Sequence, residues 1–482
     1  MLMKTASQSL TEQLAARFAE RIKSQLLAPG ARLPSVRLCA TQQGVSVSTV
    51  VAAYDQLQAQ GLVVARKNSG FYVRDGIAAI FEQNRPLGRS ILAQTAIKNV
   101  AQMPLVPGLP IDASALLRGM FERGGNRPQP GIGVFPPDWL ETPFLATAVR
   151  KFTTSAALKE TSLRYGDPKG DSSLRQALSQ KLGTLNVHAG AEQIITTIGA
   201  THALDMVSRT LLKAGDAVMV EEPGWSVEFA RLAALGMRIL PVPRRADGPD
   251  LDVMARYCKL HAPKLFVSVS VFHNPTGYCI SPGSAHRVLQ LANAHGFYIC
   301  EDDTYSHLAP EHATRLCALD GLQRTIYVSG FAKILVPGWR VGFLAAPPEL
   351  VTRLENTKLL TTLTTPALLE KALASCIEQG QLRRHAERIR TRLAQARART
   401  VKLALAHGCT FAAEPAGLFG WVNTGVDTDA LAGRLLDEGY LIAPGGLFYA
   451  QRAPSQLMRI NFTTAQDAAF WRVFARLQKA AL

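Results

Sequence analysis

Several chemically capable residues of this chain stand where short apolar runs end. Lys333 closes Ser329-Gly330-Phe331-Ala332-Lys333, just after the run Ile326-Tyr327-Val328. A lysine in a partly dry site can form a Schiff base with an aldehyde, because burial favours its neutral amine. Arg340 follows in Pro337-Gly338-Trp339-Arg340, and an arginine one loop later can clamp a phosphate with paired N–H donors. Glu301-Asp302-Asp303-Thr304-Tyr305 ends a run that is apolar up to Ile299. An aspartate there can hold a protonated ring nitrogen and keep a pyridine ring cationic, an electron sink. A solvated acidic loop is the plainer alternative.

Four further segments read in two ways each. Asn274, in His273-Asn274-Pro275-Thr276-Gly277 at the end of a buried strand, can donate a hydrogen bond to a phenolate-type oxygen, or it simply opens an Asn-Pro turn. Trp225, after Glu221-Glu222-Pro223-Gly224, can stack on a flat ring or fill a core. Ile198-Gly199-Ala200-Thr201 runs from a strand end into a helix, whose free N–H groups suit a phosphate or an ordinary turn. Arg459 lies inside the apolar run Leu457–Phe462, where an arginine is rarely unpaired. Its partner is either a ligand carboxylate or a structural Asp or Glu.

The elements that must position these residues alternate between two periodicities. From about residue 131, buried strand-like runs alternate with helical stretches: AEQIITTIG, DAVMVEEPG, KLFVSVSVFHNPTG, FYICEDDTY and RTIYVSGFAK. That alternation predicts an α/β domain with a mainly parallel sheet. Residues 345–405 read as helix-rich, and the rest to 482 as mixed α/β.

The first 76 residues differ. Leu10, Leu14, Phe18, Ile22 and Leu26 recur at helical spacing up to a Pro29-Gly30 stop. Ser35 suits an N-cap for a second helix that Gly44 ends, and Ser46 opens a third that Gly61 closes. LVVARKNSGFYV then reads as a small β-hairpin. Three helices and a hairpin are the layout of a winged helix-turn-helix, in which the second helix of the pair enters the major groove. Between the two parts, residues 77–130 carry Pro104, Pro107, Pro110 and GGNRPQPG, which predicts a linker.

Composition agrees. With 53 Lys+Arg against 37 Asp+Glu, the formal net charge of +16 favours an anionic partner such as nucleic acid. Residues 1–76 alone hold nine Lys/Arg and four Asp/Glu. The seven cysteines are scattered, without C-x-x-C pairs or a metal-ligand cluster, as in a reducing compartment. No apolar run approaches the roughly 20 residues of a membrane span, and the N-terminal residues lack a signal-peptide core. No membrane partner and a cytoplasmic location are therefore expected.

Taken in order, these motifs resemble two families. Residues 131–482 resemble the class I, fold-type I pyridoxal-phosphate aminotransferases. Residues 10–75, in the run PGARLPSVRLCATQQGVSVSTVVAAYDQLQAQGLVVARKNSGFYV, resemble the GntR winged-helix regulators. Together they resemble the MocR subfamily of GntR regulators. The resemblance implies a winged helix-turn-helix over 8–76, a linker over 77–130, and a large fold-type I aminotransferase-like α/β domain over 131–482.

It further implies pyridoxal 5'-phosphate held by Lys333. Asp302 would face the ring nitrogen, Asn274 and Tyr305 the ring oxygen, and Trp225 the ring face. Ala200, Thr201 and Arg340 would hold the phosphate, and Arg459 a ligand carboxylate. Tyr165, in Tyr165-Gly166-Asp167-Pro168, matches a tyrosine that reaches the neighbouring subunit's phosphate, implying a homodimer. On the head it implies DNA contacts from Arg37, Ser46, Ser48 and Thr49, and from the wing residues Arg66, Lys67 and Gly70.

Two departures matter. Gly330 and Ala332 stand where the family carries hydroxyls beside the lysine, so phosphate bonds worth about 1–3 kcal/mol each are missing, and Ser329 is one residue out of register. Val47 and Val51 replace arginines of the reading helix, which trades guanine contacts for contacts to thymine methyl groups. The expected function is a DNA-binding regulator that senses an amino compound, or the cofactor itself, at Lys333. A working aminotransferase with an accessory head is the alternative. The basic run Arg383–Lys402 reads as the solvated face of a long helix, or as a cradle for bent DNA.

Overall fold

The computed structural model describes residues 9–23, 27, 30–66, 69–74 and 129–481. Nearly all of the expected linker, and the wing residue Lys67, lie outside the described residues.

The head forms as its periodicity and caps dictate. Helix α1 spans Leu10–Lys23, α2 Val36–Gln43 and α3 Val47–Ala59. Ser35 accepts the N–H of Leu38 at 3.3 Å, and Gly44 closes α2 in the left-handed conformation at φ 65°. Leu14, Phe18 and Ile22 of α1 bury themselves against Val50, Tyr54 and Leu57 of α3. The rings of Phe18 and Tyr54 meet edge-on at 5.6 Å. Strands β1 (Val63–Arg66) and β2 (Gly70–Val73) pair antiparallel as the wing, with Arg66 opposite Gly70.

The body is built on an eight-stranded sheet in the order β3-β10-β9-β8-β7-β4-β5-β6. Its strands are β3 Ile194–Thr197, β4 Ala217–Glu222, β5 Arg238–Arg245, β6 Gly248–Pro249, β7 Leu265–Ser268, β8 Tyr298–Asp302, β9 Thr325–Gly330 and β10 Gly342–Ala345. Pairing is parallel from β9 through β5, while β10 runs antiparallel to both β3 and β9. Both faces are covered, which is why these strands read as unbroken apolar runs. In β4, Val218 and Val220 join the core on one face while Ala217 and Met219 join that on the other.

Two details differ from expectation. β7 stops at Ser268, so Asn274 sits in a loop six positions beyond the strand rather than at its end. β5 was not foreseen, because Pro241 and Pro243 argue against a strand; it lies near the sheet edge with only the two-residue β6 outside it.

A smaller antiparallel sheet follows, in the order β11-β12-β14-β13, with β11 Thr410–Phe411, β12 Phe419–Asn423, β13 Ala443–Pro444 and β14 Leu457–Asn461. The long helix Gln381–Ala406, the helix Thr428–Asp437 and the helix Ala468–Lys479 pack around it. Among the described residues no helix is long and apolar enough to cross a membrane.

Candidate cofactor site and DNA-reading head

Ligands of parallel α/β sheets sit beyond the carboxyl ends of the strands. Lys333 lies just past the end of β9, and its Nζ donates to the carbonyl of Gly133 at 2.7 Å. Burial, reinforced by the positive charge of Arg459, lowers the Lys333 pKa to about 8. Asp302 ends β8 and accepts the N–H of Thr304 at 3.0 Å along with its hydroxyl. Burial raises its pKa to about 6 despite those bonds. A desolvated carboxylate of this kind gains from a cation placed before it. Tyr305 is buried, its phenol pKa pushed up by burial, and it meets the edge of Phe419 at 5.7 Å.

Arg459 is a second cation near this site, and it is buried. It is 4% exposed on β14, with Nη1 donating to Asn274 Oδ1 at 3.0 Å and Nη2 to the Gly131 carbonyl at 2.6 Å. Phe419 and Phe448 flank it at 4.4 and 5.2 Å. Its Nε has no partner, and burial lowers its pKa to about 10. No carboxylate pairs with it among the described residues, so the structural Asp or Glu is ruled out there. By occupying Oδ1, Arg459 leaves the Asn274 NH2 group as the donor.

Gly133 stands between the two cations. A Cβ on it would lie 3.8 Å from Lys333 Nζ and 3.7 Å from Arg459 Nη2. Sequence reasoning missed this glycine and its neighbour Gly131, where a Cβ would strike the backbone of Ile442 at 2.4 Å. The signal was Gly-Ile-Gly directly after the proline-rich segment.

The turn expected to hold a phosphate lies beside Arg340. Gly199 adopts φ 81° and leads into the helix Ala200–Leu211, which has no side-chain cap. Arg340 crosses this turn, its Nη2 donating to Ile198 O at 3.3 Å. A Cβ on Gly199 would lie 2.6 Å from that nitrogen, so only glycine leaves Arg340 in place. Ser329 does not replace the missing hydroxyls: its own donates to Asp303 O at 2.9 Å, away from the turn. Trp225 is half-buried and precedes the helix Ser226–Ala234. Tyr165 is 84% exposed and lies outside the cavity of its own chain.

On the head, Ser46 is spent locally. Its Oγ accepts the N–H of Thr49 at 3.1 Å and bonds the hydroxyls of Ser48 and Thr49 at 2.8 and 2.7 Å, capping α3. Val47 and Val51 are exposed on the same helix, beside exposed Leu38 and Arg37. Arg66 lies over the Tyr72 ring at 4.5 Å, and Gly70, at φ 106°, approaches Arg32.

Head and body touch. Arg21 of α1 pairs with Asp437 and donates from Nη2 to Leu436 O at 2.7 Å, and Arg17 donates to the Asp437 carbonyl. At its other end, the helix Thr428–Asp437 is tied to β14 by Thr428 Oγ1, which donates to Leu457 O at 2.8 Å.

A sheet of this topology, with a half-buried lysine past β9 and an arginine turned toward it, agrees with the family model that matches residues 132–474, "Aminotransferase class I and II". The chain belongs to the aminotransferase class I and II family. Residues 10–73 match the gntR family of bacterial regulatory proteins, so this aminotransferase-family body carries a GntR helix-turn-helix head. Among similar proteins is the HTH-type transcriptional regulator YisV of Bacillus subtilis, 25% identical over 91% of this chain and 90% of its own. The probable rhizopine catabolism regulatory protein MocR of Rhizobium meliloti is 29% identical over 77% of this chain and 73% of its own. The α-aminoadipate aminotransferase LysN of Thermus thermophilus superposes on the family body with TM-score 0.69 at 24% identity, over 80% of this chain and 97% of its own.

Proposed function

We propose that this protein is a DNA-binding transcription regulator that holds pyridoxal phosphate on Lys333 and senses an amino compound, or the cofactor itself, there. The observation that carries this is Arg459. A buried guanidinium without a protein carboxylate, placed across Gly133 from a depressed lysine, fits a ligand that brings a carboxylate and an amine together.

Pyridoxal phosphate supplies an aldehyde that links to amines and a pyridinium ring that withdraws electrons. Lys333 is the attachment point. Asp302 would face the ring nitrogen, the Asn274 amide and the Tyr305 hydroxyl the ring oxygen, and Trp225 the ring face. The N–H groups of Ala200 and Thr201, with Arg340, would hold the phosphate. Arg459 binds the carboxylate of the effector.

A second copy completes the site. Leu163, Tyr165, Leu360 and Leu363 are exposed at 74%, 84%, 88% and 50%, an apolar set that supports a homodimer with Tyr165 reaching the partner's phosphate. The head (8–76) uses α3, Arg37, Ser48, Thr49, Arg66, Lys67 and Gly70 on DNA, with Ser46 shaping the helix start. Residues 77–130 tether it to the body (131–482), and the protein acts in the cytoplasm. Effector binding at Arg459 reaches the head through β14, the helix Thr428–Asp437 and Arg21.

The test is footprinting on the DNA upstream of the protein's own gene, with and without pyridoxal phosphate and candidate amino acids. Lack of any specific site would sink the proposal. The intact set Lys333, Asp302, Asn274, Tyr305 and Arg459 also favours a second reading, an aminotransferase with an accessory head. Steady turnover with a keto-acid acceptor would establish that reading.

A further inference from the structure

Six of the eight basic residues in the run Arg383–Lys402 are exposed, as a solvated face requires, but Arg390 and Arg397 are half-buried. Three of its arginines, Arg383, Arg390 and Arg397, recur every seven residues and line one cleft of about 720 Å³. Seven residues is two helical turns, so all three share a face. Arg390 and Arg397 are partly buried, yet each has only a main-chain carbonyl as partner: Ala309 O at 3.4 Å and Gly417 O at 3.3 Å. Burial lowers the Arg397 pKa. Neither is in an ion pair among the described residues, and withdrawing a guanidinium from water without a counter-anion is costly.

The floor of the cleft is apolar: Phe272, Leu308, Pro310 and Leu393. Glu311 and Glu387 stand at its edge. Those carboxylates repel a long polyanion such as a DNA backbone, while three arginines still outweigh them for a compact one. We propose that this cleft is a second ligand site, distinct from Lys333, for a small phosphate ester or carboxylate carried on a flat apolar body. The anion pairs with Arg390 and Arg397, and the apolar body lies on Phe272 and Leu308.

The site is placed to be felt at the first one. Phe272 is two residues from Asn274, Leu308 three from Tyr305, and Gly417 two from Phe419. Phe272 is held at φ 49°, and a Cβ on Gly417 would strike its side chain at 2.8 Å. A ligand pressing on this floor therefore acts on the loops whose other ends face Arg459.

The experiment is calorimetric titration of the full-length protein, loaded with pyridoxal phosphate, with phenyl phosphate, benzoate and inorganic phosphate. Phenyl phosphate or benzoate is expected to saturate at one site per chain, the tighter of the two naming the anion, with inorganic phosphate weaker for want of the ring. The double variant R390Q/R397Q should weaken that binding by about tenfold or more while keeping the visible absorbance of the cofactor. Arg383→Gln, at an exposed position, should weaken it a few-fold and serves if the double variant does not fold. The inference is overturned if neither aromatic anion binds, if binding is unchanged in the variants, or if the variants lose only salt-dependent DNA affinity. None of these results depends on whether Lys333 senses an amine.

Discussion

Arg21 of the DNA-reading head and Asp437 of the aminotransferase-family body are ion-paired, with side chains only 11% and 22% exposed. Arg21 sits on α1, whose Phe18 packs on Tyr54 of the reading helix. Asp437 ends the helix whose first turn is bonded to the strand carrying Arg459. One rigid element thus runs from the proposed ligand carboxylate to the head. Arg21→Ala is expected to leave operator binding without effector within a few-fold of normal, since Arg21 lies on α1 and faces the body rather than DNA. It should bring the ratio of operator affinities with and without effector close to one. Fluorescence anisotropy on labelled operator measures both, and an undiminished ratio would show that the signal travels elsewhere.

Arg459→Gln should cut the affinity for amino acids by about 10- to 100-fold, the equivalent of roughly 1.5–3 kcal/mol for hydrogen bonds to a charged group. Amines without a carboxylate should bind as before. Spectral titration of the cofactor band separates the two classes of ligand. An equal loss for both would mean that the arginine only holds Asn274 in place.

Ala332→Ser restores a hydroxyl beside Lys333 and should tighten the hold on pyridoxal phosphate by up to about tenfold. Gly330→Ser should do less, because its Cβ would meet Ala200 N, Gly342 Cα and Val341 O all at 3.4 Å. Cofactor release on dialysis reports the difference.

Uptake of pyridoxal phosphate should depend on pH through Lys333. Its pKa is depressed to about 8, so the neutral, nucleophilic amine is the minor form below that pH and the major form above it. The rate of covalent uptake should therefore rise as pH rises and level off beyond about 8. A rate still climbing steadily toward the ordinary lysine pKa would show that the amine is not desolvated.

On the head, Arg37→Ala should weaken binding to every sequence and reduce the salt slope by about one. Val51→Ala should spare the salt slope and weaken only operators with a thymine under α3. Replacing that thymine by uracil should reproduce the loss in the unmodified protein, because both changes remove a methyl contact.

Much of this molecule was legible along the chain. The caps at Ser35 and Ser46, the terminating Gly44, and the strands before Lys333 and Asp302 follow from local rules of hydrogen bonding and burial. β5 was hidden because prolines at 241 and 243 violate the central-strand rule that an edge position relaxes. The end of β7 was misplaced because the apolar run through Phe272 continues past the last ladder bond at Ser268. Gly131 gave little warning, since a glycine needed for space rather than for backbone angle has no local signature. Arg390 and Arg397 were read as solvated with the rest of their run because periodicity reports which residues share a face, not what covers it.

The sequence by itself determined the order of parts: a winged helix-turn-helix, then an α/β body whose lysine, aspartate, asparagine and arginines stand at fixed points along the chain. Local propensity and periodicity act over a few residues, and they suffice for that. Tertiary structure decided which of those residues meet. Lys333 reaches a carbonyl 200 residues away and Arg459 one 328 away. It also decided that Ser329 turns from the phosphate turn, that Arg459 has no carboxylate partner among the described residues, and that Arg21 grips Asp437. Those outcomes depend on packing between distant segments and on which charges lose their water, and neither is encoded in the neighbourhood of any single residue.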